Sequence, residues 1–194
     1  MKKYEFTGEV KVVFGITLHR IRAAVSFGLV VKGELGGWIE KEENLSQNGN
    51  AWVYGNAKVC GNAWVYGNAK VYGNAWVYGN AEVCGNAKVY GNAKVYGNAE
   101  VCGNAKVYGN AEVYGDAKVY GDAKVYGNAD YIVFKNWWSS GRWFTWTRSN
   151  NKWRVGCFFG TGAELIAKAY KDSEKSGREY ERVVKYVESI LNEQ

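Results

Sequence analysis

Gly49-Asn50-Ala51-Trp52-Val53-Tyr54 is followed by Gly55-Asn56-Ala57-Lys58-Val59-Cys60, and the same phrase, Gly-Asn-Ala-x-Val-x, runs on to Gly127-Asn128-Ala129-Asp130-Tyr131-Ile132. It is written fourteen times without an insertion. A fixed hexapeptide period is the signature of a solenoid of parallel β-structure. Ala and Val stand two apart, so in an extended segment they point to one side, while the residue between them and the residue after Val point to the other. The inward pairs therefore run from Ala51/Val53 to Ala123/Val125. Gly-Asn, or Gly-Asp at Gly115-Asp116 and Gly121-Asp122, ends every unit. These residues tolerate the φ > 0 backbone of a corner, so one unit reads as a short strand plus a corner.

Three sides close a triangular coil of eighteen residues, and the repeat supplies about 4.7 such coils. At about 4.8 Å per stacked strand, the prism would be on the order of 22 Å tall. Read from Val, the unit Val-x-Gly-Asn-Ala-x resembles the aliphatic-then-small pattern of the transferase-hexapeptide superfamily. That resemblance implies a left-handed triangular parallel β-helix, with the hand coming from the resemblance alone, since general chain rules favour right-handed crossovers. The fold class expected is an all-β solenoid with a C-terminal β-hairpin plus two-helix cap. Its expected divisions are an N-terminal cap over 1–38, the β-helix over 39–132 and the C-terminal cap over 133–194.

The chain has 194 residues, 16% of them aromatic, and no proline. Without proline, Gly and Asn must end every element. No run of about eighteen apolar residues occurs, and Met1-Lys2-Lys3-Tyr4-Glu5 is not followed by a secretory apolar core, so a cytoplasmic protein without a membrane partner is expected. Cys60, Cys84, Cys102 and Cys157 lack CxxC spacing and have one histidine for company, which argues against a metal site. They read as small reduced side chains; Cys84 and Cys102, eighteen apart, should stack on adjacent coils. No cofactor is expected.

Ahead of the repeat, apolar runs Tyr4 to Phe6, Val10 to Phe14 and Ala24 to Val31 are broken by Gly8, Gly15, Gly28 and Gly33 and read as short strands, with an amphipathic reading of Ile16 to Val25 also open. Leu45 falls six before Ala51 and Ile39 six before Leu45, so the inward rhythm begins in a degenerate first coil. A solenoid end exposes its core and its strand edges, so this region should close it. Gly15-Ile16-Thr17-Leu18-His19-Arg20-Ile21-Arg22-Ala23, Phe27-Gly28, Gly33-Glu34-Leu35-Gly36-Gly37-Trp38-Ile39-Glu40 and Asn44-Leu45-Ser46 together resemble the opening of YdcK-like hexapeptide-repeat proteins. Members usually carry an acyltransferase label, which rests on fold analogy.

Variable information sits at the outward positions. Every third unit shares a face. The first face carries Trp52, Lys70, Lys88, Lys106 and Lys124 beside Tyr54, Tyr72, Tyr90, Tyr108 and Tyr126. The second reads Lys58, Trp76, Lys94, Glu112 and Asp130, and the third Trp64, Glu82, Glu100 and Lys118. Only the first is uniformly basic. Stacked lysines repel one another, which is relieved by splaying into solvent, by pairing with carboxylates of a packed partner or by binding an anionic ligand, while stacked tyrosines also suit a β surface for packing alone.

After Asp130 the rhythm stops. Tyr131 to Phe134 reads as a strand, and Arg142 to Arg148 and Lys152 to Phe158 flank a Ser-Asn-Asn turn as a hairpin. Thr161-Gly-Ala-Glu164 is a capping box that opens a helix, and a break near Ser176-Gly177 precedes a second helix carrying Tyr180, Val183, Val184, Val187, Ile190 and Leu191. This tail resembles those of hexapeptide-repeat proteins of phages and mobile elements. Net charge is +6, and from Lys135 to Arg154 there are five basic residues and no acid. Trp137, Trp138, Trp143, Trp146 and Trp153 interleave there with Lys135, Arg142, Arg148, Lys152 and Arg154, a composition typical of binding hot spots.

Three functions follow. The first is a non-catalytic binding or inhibitor protein engaging an acidic protein surface or a nucleic-acid-containing complex. Its contacts would be Lys70, Lys88, Lys106, Lys124, Tyr72, Tyr90 and Tyr108, together with Arg142, Trp143, Trp146, Arg148, Lys152, Trp153 and Arg154. The phage-like tail implies an anti-defence (anti-CRISPR-like) role in the host cytoplasm. The second is acyl transfer, for which His19 is the only available imidazole base. The third is a self-assembling scaffold, a dimer or trimer.

Overall fold

In the computed structural model, which describes residues 2–192, every inward Ala from Ala51 to Ala123 and every inward Val from Val53 to Val125 is at most 1% exposed. The repeat forms thirteen two-residue parallel strands, β4 (Trp52–Val53) to β16 (Lys124–Val125), preceded by β1 (Tyr4–Val13), β2 (Ile16–Ala23) and β3 (Leu35–Ile39). Each strand pairs with the strand eighteen residues on, Val over Val, as Val71↔Val89 and Val89↔Val107 show. The coils are joined by main-chain bonds: Lys70 N donates to Ala87 O (2.9 Å), Tyr72 N to Val89 O (3.0 Å) and Asn68 N to Gly85 O (2.8 Å).

The corners divide labour between Gly and Asn. Gly49 to Gly121 hold φ between 56° and 74°, the left-handed region that a Cβ disfavours. Asn stays outside that region and instead forms side-chain rows: Asn50 Nδ2 donates to Asn68 Oδ1, Asn68 to Asn86, Asn86 to Asn104, and Asn104 to Asp122 Oδ1 (2.9 Å). A second row runs from Asn62 through Asn80 and Asn98 to Asp116. A carboxylate accepts but cannot donate, so each Gly-Asp unit sits where its row ends.

The fourteenth unit departs from the expectation. Gly127 has no positive φ, Asn128–Asp130 is a single 3-10 turn, and Asp130 Oδ2 accepts from Tyr126 N and Gly127 N. Asp130 therefore closes the last corner and is not an outward residue of the second face. At the other end, Ile39 pairs with Val59 and Leu45 bridges Val65, a step of twenty residues instead of eighteen. Leu45 thus occupies a Val position, not the Ala position that its spacing to Ala51 predicts, and the corner after it holds two extra residues.

β1 and β2 form an antiparallel hairpin turning at Phe14 and Gly15, with φ 50° and 79°, the φ > 0 pair that two-residue hairpins require. This excludes the helical reading of Ile16 to Val25. The run Ala24 to Val31 is a loop turning at Gly28 (φ 52°), with an isolated Phe27↔Val30 bridge. β2 pairs with β3, and β3 pairs parallel to Lys58–Val59, so the hairpin extends the sheet of the second face. Gly36 and Gly37 allow this docking: a Cβ on Gly36 would lie 2.6 Å from Ile21 Cγ1, and one on Gly37 2.8 Å from Ala57 O. Lys3, 4% exposed, donates from Nζ to Ala51 O (2.9 Å), and burial lowers its pKa to about 8.

Cys84 and Cys102 are joined in a disulfide, with Cα atoms 4.6 Å apart, where reduced thiols were expected. Stacking of identical outward positions on successive coils brings them together. Cys60 is buried and Cys157 exposed, both free.

The second compact unit, Tyr131–Gln194, has a four-stranded antiparallel sheet of β17 (Tyr131–Lys135), β18 (Trp143–Thr147), β19 (Lys152–Val155) and β20 (Phe158–Gly160), followed by α1 (Gly162–Asp172) and α2 (Glu174–Asn192). The predicted hairpin is β18–β19. The capping box is present, with Glu164 N donating to Thr161 Oγ1 and Thr161 N to Glu164 Oε2 (2.7 Å). The helix break lies at Ser173, not at Ser176-Gly177: Ser173 Oγ accepts from Ser176 N (3.0 Å), and Gly177 lies inside α2 where the Tyr170 ring leaves no room for a Cβ.

Two measurements test this frame. Gly85→Ala, whose Cβ would meet Gly103 N and O at 3.0 Å, should lose more stability in urea than Gly55→Ala, whose Cβ meets nothing within 4 Å; left-handed strain alone costs about 1–2 kcal/mol. Reducing the Cys84–Cys102 link, which closes a loop of 18 residues, should lower unfolding free energy by about 3 kcal/mol.

Candidate functional site

The pairing register places Trp52, Lys70, Lys88, Lys106 and Lys124 in one row, and the tyrosines that follow Val stack beside it. Tyr72 and Tyr90 are 4.8 Å apart at 2°, and Tyr90 and Tyr108 5.1 Å apart at 8°. Because these rings cover one another's faces, the row offers edges and hydroxyls to a partner and leaves no slot for a planar group between rings. Burial pushes the Tyr72 and Tyr90 phenols upward in pKa, so near neutral pH they are hydrogen-bond donors.

Trp52 is fully buried beneath Tyr4 and Phe27, so the basic row begins at Lys70. Lys70 and Lys88 stand between two open clefts. One, of about 450 Å³, is walled by Tyr54 and Tyr72; the other, of about 340 Å³, is walled by the loop at Gly28, Leu29 and Val30 and by the Asn50–Asn68–Asn86 row. Leu29 is exposed at its rim.

The other two faces handle their lysines differently. On the second, Lys94 Nζ bonds Glu112 Oε1 at 2.8 Å, and Tyr96 OH donates to Glu112 Oε2. On the third, Lys118 and Tyr120 both donate to Glu100, and Tyr66 OH donates to Glu82. Each of these carboxylates lies one coil from the group it serves. The first face contains no carboxylate among its outward residues.

Residues 63–79, about one coil, match the YdcK Beta solenoid repeat. No curated protein matches the chain. His19, the imidazole considered for acyl transfer, lies on β2 opposite Ile39 and stacks on Phe6 at 4.8 Å, and it lines neither of the two clefts beside Lys70 and Lys88. Among the described residues no helix is long and apolar enough to cross a membrane.

Outside the solenoid, the Trp and Arg residues predicted to act together are divided by the structure. Trp146 and Trp153, each 2% exposed, belong to the core with Phe144, Val155, Leu165 and Val184; they pair across β18–β19 and cannot touch a partner. Alternation along a strand explains the error, since every second residue of the hairpin faces the helices. Trp143 is half-buried with Lys135 Nζ 4.9 Å over its ring. Arg142 and Arg148 are exposed and Lys152 half-exposed, while Arg154 Nη1 donates to Cys157 O. Trp137 and Trp138, 75% and 65% exposed, are the indoles that face solvent.

The charge pairing has a pH signature. The Lys94 ammonium, then the Tyr96 hydroxyl, hold the Glu112 carboxyl below its usual range. The contribution is therefore present above the unfolded carboxylate pKa and lost as pH falls through the folded value. Glu112→Gln should cost a few tenths of a kcal/mol at neutral pH, and its difference from the parent in urea melts should begin to shrink as pH falls through about 4 and continue to shrink at lower pH.

Proposed function

We propose that this chain is a non-catalytic binding protein that presents the first face of its prism to an anionic macromolecular surface. The observation that carries this reading is the contrast between faces. Lys94 of the second face and Lys118 of the third each have a glutamate one coil away and Lys58 lies between Trp38 and Trp76, whereas Lys70, Lys88 and Lys106 stack on each other in register with no acid in their row. Three like charges at about 4.8 Å spacing raise the local positive potential and favour a polyanion. The edge-on tyrosines add hydroxyl donors suited to phosphate or carboxylate oxygens.

This chemistry fits an acidic protein face or the backbone of a nucleic-acid-containing complex, and it favours backbone contact over base stacking, because the ring faces are occupied. The rigid stack makes an inhibitor that covers its target a natural use of the surface. The resemblance of the C-terminal tail to phage-borne proteins supports a host defence complex as that target.

Lys70, Lys88, Lys106 and Lys124 changed together to Ser should elute from heparin at clearly lower salt. They should also reduce the slope of log K against log salt on a nucleic-acid probe by about three to four, one for each lost contact. The same changes at Lys58, Lys94 and Lys118 should have the smaller effect. Equal retention of the two variants overturns the assignment of the first face.

A further inference from the structure

A second recess lies in the C-terminal unit, and its chemistry differs from that of the lysine face. β17 is the end strand of its sheet, whose order is β17-β18-β19-β20, so among the described residues no strand pairs with its outer side. Directly after it, a cleft of about 410 Å³ opens between the end of β17 and α2, lined by Phe134, Asn136, Trp138, Val183 and Tyr186, with Glu179 and Arg182 at its rim. Trp138 and Tyr186 are exposed, at 65% and 56%, although both are large aromatics that a small unit would normally bury.

Asn136 is the polar member. It is 2% exposed, and its Oδ1 is fully used, accepting from Trp138 N (3.1 Å), Ser139 N (3.0 Å) and Ser139 Oγ (3.2 Å). Its Nδ2 has no acceptor. A buried donor without a partner is costly. The rim charges satisfy each other, Arg182 Nη1 lying 2.6 Å from Glu179 Oε1, so the cleft does not call for a charged ligand.

From these observations we infer that the cleft receives a short extended segment of a partner protein, laid along the outer side of β17. Its large apolar side chain would sit among Phe134, Val183 and Tyr186, and a main-chain carbonyl would accept from Asn136 Nδ2. A free strand edge supplies main-chain pairing and an adjacent pocket supplies side-chain selectivity, the mode of recognition known from strand addition. An uncharged carbonyl meets the unsatisfied donor, and an aliphatic or aromatic side chain meets the exposed rings. This site is independent of the lysine row and gives a two-site binder one polyanion contact and one apolar contact.

The test uses the full chain, isotope-labelled, titrated with the acetylated and amidated tripeptide Val-Leu-Val and with Val-Asp-Val. Val-Leu-Val should shift the Asn136 side-chain amide and the Trp138 indole resonance saturably, and Val-Asp-Val should bind at least about tenfold more weakly, as expected for a carboxylate placed in an apolar pocket. Asn136→Asp keeps an oxygen for the Trp138 and Ser139 donors and removes Nδ2; it should weaken Val-Leu-Val about fivefold or more, the value of one hydrogen bond. Tyr186→Ala, which removes an exposed wall, should weaken it as well, with unfolding midpoints recorded for both variants to show that they fold. The variant lacking the four first-face lysines should bind the tripeptide unchanged, which separates this site from the anion reading. Absence of saturable shifts, equal affinity for the two tripeptides, or an unchanged affinity in folded Asn136→Asp overturns the proposal.

Discussion

The solenoid depends on one contact: main chain against main chain at a fixed step of eighteen residues. Amides of each coil donate to carbonyls of the next, from Asn50 N to Gly67 O at the first corner to Tyr108 N to Val125 O near the last. Such close stacking leaves no space at the corners. A Cβ on most corner glycines would stand about 3 Å from the glycine main chain of the neighbouring coil, as between Gly91 and Gly109, so glycine is required by proximity as well as by φ. The inward positions of the repeat follow, since a small residue alternating with a branched aliphatic one fills a prism this narrow, and the repeat becomes uniform because every coil is both template and neighbour.

Uniformity made the architecture readable. A period of six with a small and a branched aliphatic residue two apart leaves little but a three-sided stack, and the face assignments follow by counting in threes. What was not readable lay where counting fails. Leu45 was placed in the wrong register because two residues are added in a corner, and a spacing of six looks the same whichever inward position it reaches. Asp130 falls on an outward position by counting, but as a short carboxylate it serves better as an acceptor for the amides of Tyr126 and Gly127. The helix break was expected at Gly177, where glycine answers a ring and not a turn.

The candidate surfaces show the same division. The lysine and tyrosine row was legible because it lies on the repeat. The tryptophans of the C-terminal unit were legible as a cluster but not as individuals, since composition does not distinguish the side of a strand; Trp153 is core while Trp138 meets solvent. Asn136 gave no signal at all, because an orphaned donor is a property of three-dimensional surroundings. A chain with few distinctive motifs thus stores its information in two registers: a periodic one, in which charge is arranged by coil, and a local one, in which a single amide lacks a partner.

The asparagine rows have a sense of direction, every Nδ2 pointing toward the next coil. At Asp116 and Asp122 that direction ends in a residue with nothing to give. Were a second copy set head to tail on the final coil, its Asn50 and Asn62 would turn carbonyl oxygens toward carboxylates, acceptor against acceptor. Two of the three rows thus end on an acceptor, by a replacement of nitrogen by oxygen that opposes their own continuation, while the third, from Asn74 through Asn92 to Asn110, carries no such replacement.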